Sequence, residues 1–212
     1  MTDRKLVVIS AGLSSPSSTR MLADRLTAAS LSELSSLGEK AAASTVELRD
    51  HAHAVTNNLL TGFAEKELEA VLEQVYDADA LIVVTPIFST SYSGLFKSFV
   101  DILDRDALRG KPVILAANAG TARHSLAIDY ALRPLFAYLH TEPVSTGVFA
   151  ASSDWGDQAD KVAPLQKRIA AAAAELALAI ARKPKAERVD PFDPESYLDG
   201  GSFGELLQGL GH

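Results

Sequence analysis

Apolar residues along this chain fall into two alternating kinds of run. Short runs such as Leu6-Val7-Val8-Ile9 and Leu81-Ile82-Val83-Val84 are continuous, as in parallel strands covered on both faces. Longer stretches carry apolar residues at helical spacing, and Val162, Leu165, Ile169, Leu176 and Ile180 form one such stripe. The pattern predicts strands at 6–10, 44–48, 81–85, 113–118 and 143–148, with helices at 19–37, 65–78, 94–103, 125–140 and 158–182. Alternation of this kind is the signature of βαβ units, so the expected fold class is α/β, a three-layer sandwich around a five-stranded parallel sheet. Pro134 lies inside the fourth helix and lacks the amide that would bond the carbonyl of Tyr130. That helix must therefore kink as an ordinary proline helix does, or widen into a single π turn at Tyr130.

At 212 residues the chain can bury a full core as one domain. The elements occupy residues 1–182, and a tail at 183–212 is broken by proline and glycine. The tail is expected to be disordered, or an extended arm clamped by Phe192, Tyr197, Leu198 and Phe203. A formal net charge of −7 argues against a nucleic-acid partner. With no cysteine, thiolate metal sites and thiol redox chemistry are excluded, so any redox role falls to a cofactor. The N-terminus lacks a signal-peptide core, and the most apolar helical stretch, 169–181, is interrupted by Glu175 and shorter than the ~20 residues that span a bilayer. A cytoplasmic protein with no membrane partner is expected.

In an open α/β sheet, ligands bind outside the carboxyl ends of the strands, where this chain carries three polar, small-residue loops. The first, SAGLSSPSST at 10–19, places Ser17, Ser18 and Thr19 at a helix N-terminus. There they can add donors to an anion site of free amides, or serve as simple caps. Neither G-x-G-x-x-G nor G-x-x-x-x-G-K-[ST] is present, which suits a terminal monophosphate. The second loop, 85–93, offers Pro86, Ile87 and Phe88 as an apolar wall for a flat heteroaromatic ring, or ends the strand on a buried Phe. The third, NAGTARH at 118–124, has Gly120 for close backbone approach, and its His124 reads first as a surface or supporting group. His51 and His53 lie two apart in a loop without a third ligand, so no zinc site is expected. No serine sits in a G-x-S-x-G elbow, which argues against hydrolysis. Tyr92, Leu95, Phe96, Phe99, Val100 and Leu103 exceed what one sheet face needs and predict an oligomer interface on the third helix.

These loops carry a family likeness. Thr85-Pro86-Ile87-Phe88, followed by Ser91-Tyr92-Ser93-Gly94-Leu95-Phe96-Lys97, is similar to the T-P-x-Y…S-G-x-L-K signature of the NADPH-dependent FMN reductases, a branch of the flavodoxin-like fold. Gly110-Lys111-Pro112 leads into the fourth strand as it does there, and 120–149 resembles the sulfonate-linked members, which feed reduced FMN to a separate monooxygenase. The likeness covers 5–180. It implies FMN with NADPH or NADH, a homodimer or homotetramer, a partner flavin-dependent monooxygenase, and a π turn in the fourth helix at a subunit interface. Hydride would pass from nicotinamide to flavin without a catalytic side chain, the cofactor carrying the chemistry. By the same resemblance Ser10, Ser17, Ser18 and Thr19 hold the FMN phosphate. Pro86, Ile87, Phe88 and Ser89 line the isoalloxazine edge, with Thr85 at the same strand end, and Asn118, Ala119, Gly120 and Thr121 meet its other edge through backbone amides.

Two positions depart from the family. Ser10-Ala11-Gly12-Leu13 has no arginine where G-S-x-R is usual, which leaves the phosphate without an assigned charge partner, and Phe88 replaces the usual Tyr. Arg20, Arg123 and Arg133 are candidates for phosphate contacts or are solvated surface charges. The alternatives on the same scaffold are an FMN-retaining quinone or azo reductase and a flavodoxin-like electron carrier. The carrier is disfavoured because no second aromatic stands in the third loop.

Overall fold

The continuous apolar runs form the centre of the sheet. In the computed structural model, which describes residues 3–155 and 164–183, the chain opens with β1 (Arg4–Ser10), α1 (Ser18–Ser36) and β2 (Ala41–Glu47). A 3₁₀ turn at Leu48–His51 leads into α2 (Ala52–Thr61), then α3 (Lys66–Asp77), β3 (Ala80–Phe88), β4 (Ser91–Tyr92), α4 (Gly94–Asp101) and β5 (Pro112–Ala119). A π-helical segment, Ile128–Leu132, runs directly into α5 (Arg133–Tyr138), followed by β6 (Glu142–Pro143), β7 (Val148–Ala151), a 3₁₀ turn at Ser152–Trp155 and α6 (Leu165–Ala181).

The sheet order is β2-β1-β3-β5, and β6 and β7 both pair parallel with β5 at its outer edge. Counted by position, this is the 2-1-3-4-5 order of flavodoxin-like sheets. The expected five strands become seven because the fifth position is split and because β4 folds back antiparallel on the end of β3. The split falls where Gly147 packs on the π segment, so closely that a Cβ there would stand 2.6 Å from Ile128 Cγ2. Alternate residues of the central strands point to opposite faces. Val7, Ile9, Leu81 and Val83 pack under α2 to α5, while Leu6, Val8, Ile82 and Val84 pack under α1 and α6. The three layers are thus as the alternation implied. On α6, Leu165, Ile169, Leu176 and Ile180 are buried as the stripe requires. Val162 and the tail from 184 onward lie outside the described residues.

Two expectations are corrected. Residues 52–61, read as loop, form α2, which buries Val55 alone and so leaves no apolar stripe in the sequence. His51 and His53 accordingly stand at the entry to this helix. The apolar surplus assigned to the third helix is spent inside the chain, because α2 packs on α4 and leaves Phe96, Phe99, Val100 and Leu103 buried. Exposed apolar side chains lie elsewhere, including Leu126, Tyr130 and Tyr138 along the π segment and α5. The widened turn itself is present: Tyr130 is the middle residue of Ile128–Leu132, and Pro134 stands in the first turn of α5.

At the opposite end of the sheet from the loops, Lys111 explains the Gly-Lys-Pro step. Its ammonium donates to the carbonyls of Tyr76, at 3.0 Å, and Ala78, closing the C-terminal end of α3. Burial holds this lysine below its ordinary value of 10.5, with Asp79 and Asp77 pulling the other way. The unfolded chain then binds more protons here, so this residue's contribution to stability rises with pH between its lowered folded value and 10.5. Lys111→Met is expected to cost about 1–2 kcal/mol in urea denaturation at neutral pH and to flatten that alkaline rise, with FMN affinity unchanged. No helix among the described residues is long and apolar enough to cross a membrane.

Candidate active site

The carboxyl ends of β1, β3, β5 and β7 enclose a cavity of about 450 Å³. The loop after β1 supplies Leu13, Ser14, Ser18 and Thr19, the end of β3 supplies Pro86, Ile87 and Phe88, and the end of β5 supplies Asn118, Ala119 and Gly120. Ser152 and Trp155 come from a fourth loop, after β7. None of these residues titrates near neutrality, so the walls offer no side-chain acid or base. They can orient a ligand, and the reactive groups have to arrive with the ligands.

The first loop is held from three sides. The amide of Ala11 donates to Val84 O at 2.9 Å, and Arg49 donates to Ser14 O at 3.0 Å. Ser17 caps α1 by accepting the Arg20 amide at 3.2 Å. Gly12 lies so close over the helix start that a Cβ there would overlap Ser17 Oγ and sit 3.0 Å from Thr19 Cβ. Ser10 is buried beneath the loop, and its Oγ has no hydrogen-bond partner. Asn118 bridges from β5: its Nδ2 donates to Ser18 Oγ at 3.0 Å, and its Oδ1 accepts from Thr19 Oγ1 at 2.8 Å.

Of the three candidate arginines, two are committed elsewhere. Arg20 pairs with Glu47 at 2.8 Å and Asp24 at 2.7 Å, contacts that raise its pKa, Glu47 foremost. Arg133 pairs with Asp129 and donates to the carbonyls of Val144 and Ser145, pinning the break between β6 and β7. Arg123 is exposed and does not line the cavity. An anion here would meet the amides at the start of α1 and the hydroxyl of Ser18, while Ser17 caps the helix without lining the cavity.

The apolar wall differs from the expected loop. β3 continues through Pro86 to Phe88 and turns back at Ser89 and Thr90, both in the left-handed region at φ 47° and 71°. A two-residue hairpin of type I′ demands this of both positions, and glycine or asparagine normally meets the demand. Ser89 stands at the exposed tip. Thr85 is buried and does not line the cavity; its Oγ1 donates to Pro86 O at 3.0 Å and accepts the amide of Ser93, the N-cap of α4. Thr121 is exposed beside the third loop and does not line the cavity.

Leu13, Ser14, Ser152 and Trp155 were missing from the sequence reading. The first two belong to a loop already singled out. The apolar pattern ends the final strand at 148, whereas β7 runs to Ala151, so Ser152 and Trp155 stand on a loop that the pattern does not mark. Trp155, the only tryptophan, lies under the guanidinium of Arg25, 4.7 Å from the ring centre. The cavity therefore does have a second aromatic, from the fourth loop, and counting aromatics no longer separates a reductase from an electron carrier.

Relatives make that separation. Residues 4–156 match the family of NADPH-dependent FMN reductases. The FMN reductase (NADPH) of Pseudomonas aeruginosa is 37% identical over 171 residues, covering 80% of this chain and 88% of that protein. The NADH-dependent FMN reductase SfnF of Pseudomonas putida is 36% identical over 162 residues, covering 76% of this chain and 84% of its own. Among solved structures, an oxidoreductase from Corynebacterium diphtheriae is 47% identical with a TM-score of 0.83, covering 87% of this chain and all of that one. A cavity with one apolar wall, one hydroxyl-lined helix start, a buried orphan hydroxyl at Ser10 and no acid or base suits a flavin mononucleotide. The chain belongs to the NADPH-dependent FMN reductase family, whose activity, NAD(P)H-dependent reduction of FMN, is this protein's.

Proposed function

We propose that FMN enters the cavity with its phosphate at the start of α1 and its ring system along Pro86, Ile87 and Phe88. Bound there, the flavin accepts a hydride from NADPH or NADH. The observation that carries this placement is the polarity of the walls: hydroxyls and free amides gather at α1, and apolar side chains gather at the end of β3. Ser18 faces the cavity directly, Ser17 caps the helix start beside it, Ser10 lies buried at the end of β1, and Asn118, Ala119 and Gly120 close the β5 side. Phe88, 47% exposed, leaves the ring end accessible to a nicotinamide.

Reduced FMN is proposed to leave and serve a flavin-dependent monooxygenase, with the protein acting in the cytoplasm as a homodimer or homotetramer. Support for self-association is the exposed apolar line of Leu126, Tyr130 and Tyr138, since solvated patches of this kind seldom stay uncovered. The test of the placement uses the single tryptophan. Titration with FMN is expected to quench Trp155 fluorescence saturably, at the concentrations that saturate NAD(P)H oxidation under anaerobic conditions. Turnover that saturates with FMN while Trp155 emission stays constant would put the flavin elsewhere.

A further inference from the structure

We infer that Asn118 is a positioning residue for FMN, acting by turning the hydroxyl of Ser18 into an obligate donor toward the phosphate. Asn118 is 8% exposed and stands at the end of β5, yet both ends of its amide are spent on the first turn of α1. An amide nitrogen only donates, so the Ser18 oxygen accepts at 3.0 Å and its own proton is left to point away, into the cavity that Ser18 lines. An amide oxygen only accepts, so Thr19 spends its proton on Asn118 at 2.8 Å. Thr19 is 2% exposed and has no second proton for a phosphate. Two adjacent hydroxyls at one helix start thus acquire opposite roles, Ser18 as donor to the ligand and Thr19 as tether to the sheet. Ser17 resembles Ser18, because its oxygen accepts the Arg20 amide and its proton stays free.

The arrangement also compensates for the missing arginine. Arg20 is neutralised by Glu47 and Asp24, so at the start of α1 itself the phosphate meets oriented dipoles in place of a side-chain charge. A hydroxyl that could rotate and accept would weaken such a site, and Asn118 removes that freedom. Asn118 also lines the β5 side of the cavity, but both ends of its amide are spent on Ser18 and Thr19, so its effect on the phosphate runs through Ser18 and should depend on Ser18 being present.

The inference rests on FMN seating its phosphate at α1, and the test separates the two ideas. Dissociation constants for FMN and for riboflavin, which lacks the phosphate, are measured by Trp155 quenching for the wild type, Ser18→Ala, Asn118→Leu, the double variant and Thr19→Val. The wild type should prefer FMN, and both Ser18→Ala and Asn118→Leu should weaken FMN about tenfold, as for one lost bond to a charged group. The preference for FMN over riboflavin should fall by that factor in both variants, Asn118→Leu should take no more of it in the Ser18→Ala background, and Thr19→Val should leave it unchanged. Equal losses for both flavins, or additive losses in the double variant, would reduce Asn118 to a structural brace and overturn the proposal. A loss confined to FMN in Thr19→Val would overturn it too, and would decide the matter if Asn118→Leu failed to fold. A wild type without preference for FMN would remove the phosphate placement itself.

Discussion

Replacing Gly12 with alanine is expected to raise the Kd for FMN ~100-fold or more, about 2.7 kcal/mol of binding, while the protein stays folded. The added methyl would overlap Ser17 Oγ and press on Thr19 Cβ, and neither can give way freely. Ser17 is held by its bond to the Arg20 amide, and Thr19 is buried and tied to Asn118. The loop cannot retreat either, because the preceding amide of Ala11 is bonded to Val84 and Arg49 grips Ser14. The collision is therefore relieved by shifting the start of α1, which displaces the amides and hydroxyls that meet the phosphate. Unfolding by urea should show a loss of about 1–3 kcal/mol, as for an overpacked contact confined to one loop and helix start. An unchanged FMN titration of Gly12→Ala would mean that the first loop does not contact the flavin.

Phe136→Ala is expected to have the largest effect on stability, a loss of about 3–5 kcal/mol, against the 5–15 kcal/mol typical of a domain. Phe136 is 1% exposed and is the only buried residue of α5, with its ring 6.2 Å from that of Phe96. Its removal would open a cavity between α4 and α5 that the buried Phe99 and Leu132 cannot close without leaving their own places. The carbonyl of Phe136 also accepts Thr141 Oγ1 at 2.7 Å, which anchors the turn into β6. The loss should therefore spread to the outer edge of the sheet. A urea midpoint that moves without a change in slope would show the expected lowering of stability within a two-state transition. A variant with the wild-type midpoint would show that α5 is held by other contacts.

Much of the architecture was legible because burial leaves a mark on composition. β1 and β3 are covered on both faces, so their runs are continuous, and α6 shows its stripe because one face meets the sheet. Pro134 was informative for a related reason: a missing amide is a local, covalent fact whose consequence does not depend on packing. Elements with little to bury were silent. α2 buries only Val55, and the hairpin at Ser89 and Thr90 uses residues that ordinarily avoid a positive φ, so neither announced itself. The break between β6 and β7 shifted the last strand end by three residues and hid Trp155.

The candidate site divides in the same way. Three of its loops were visible as small, polar stretches after strands, and Ser18, Thr19, Pro86, Ile87, Phe88, Asn118, Ala119 and Gly120 do meet around one cavity. What each does was not visible, since the role of a hydroxyl depends on its neighbour. Ser17, Ser18 and Thr19 are near equivalents in the sequence, and only the arrival of Asn118 from β5, a hundred residues away, makes Ser18 a donor and Thr19 a tether. Likewise Arg20 looked available until Glu47 and Asp24 were seen to hold it. By itself, then, the sequence determined the layering, the parallel order of strand and helix, a distortion in the fourth helix and three of the four loops around the site. Only the tertiary structure decided which hydroxyl protons and charges remain free, because hydrogen bonds and ion pairs are settled by groups distant in the chain and adjacent in space.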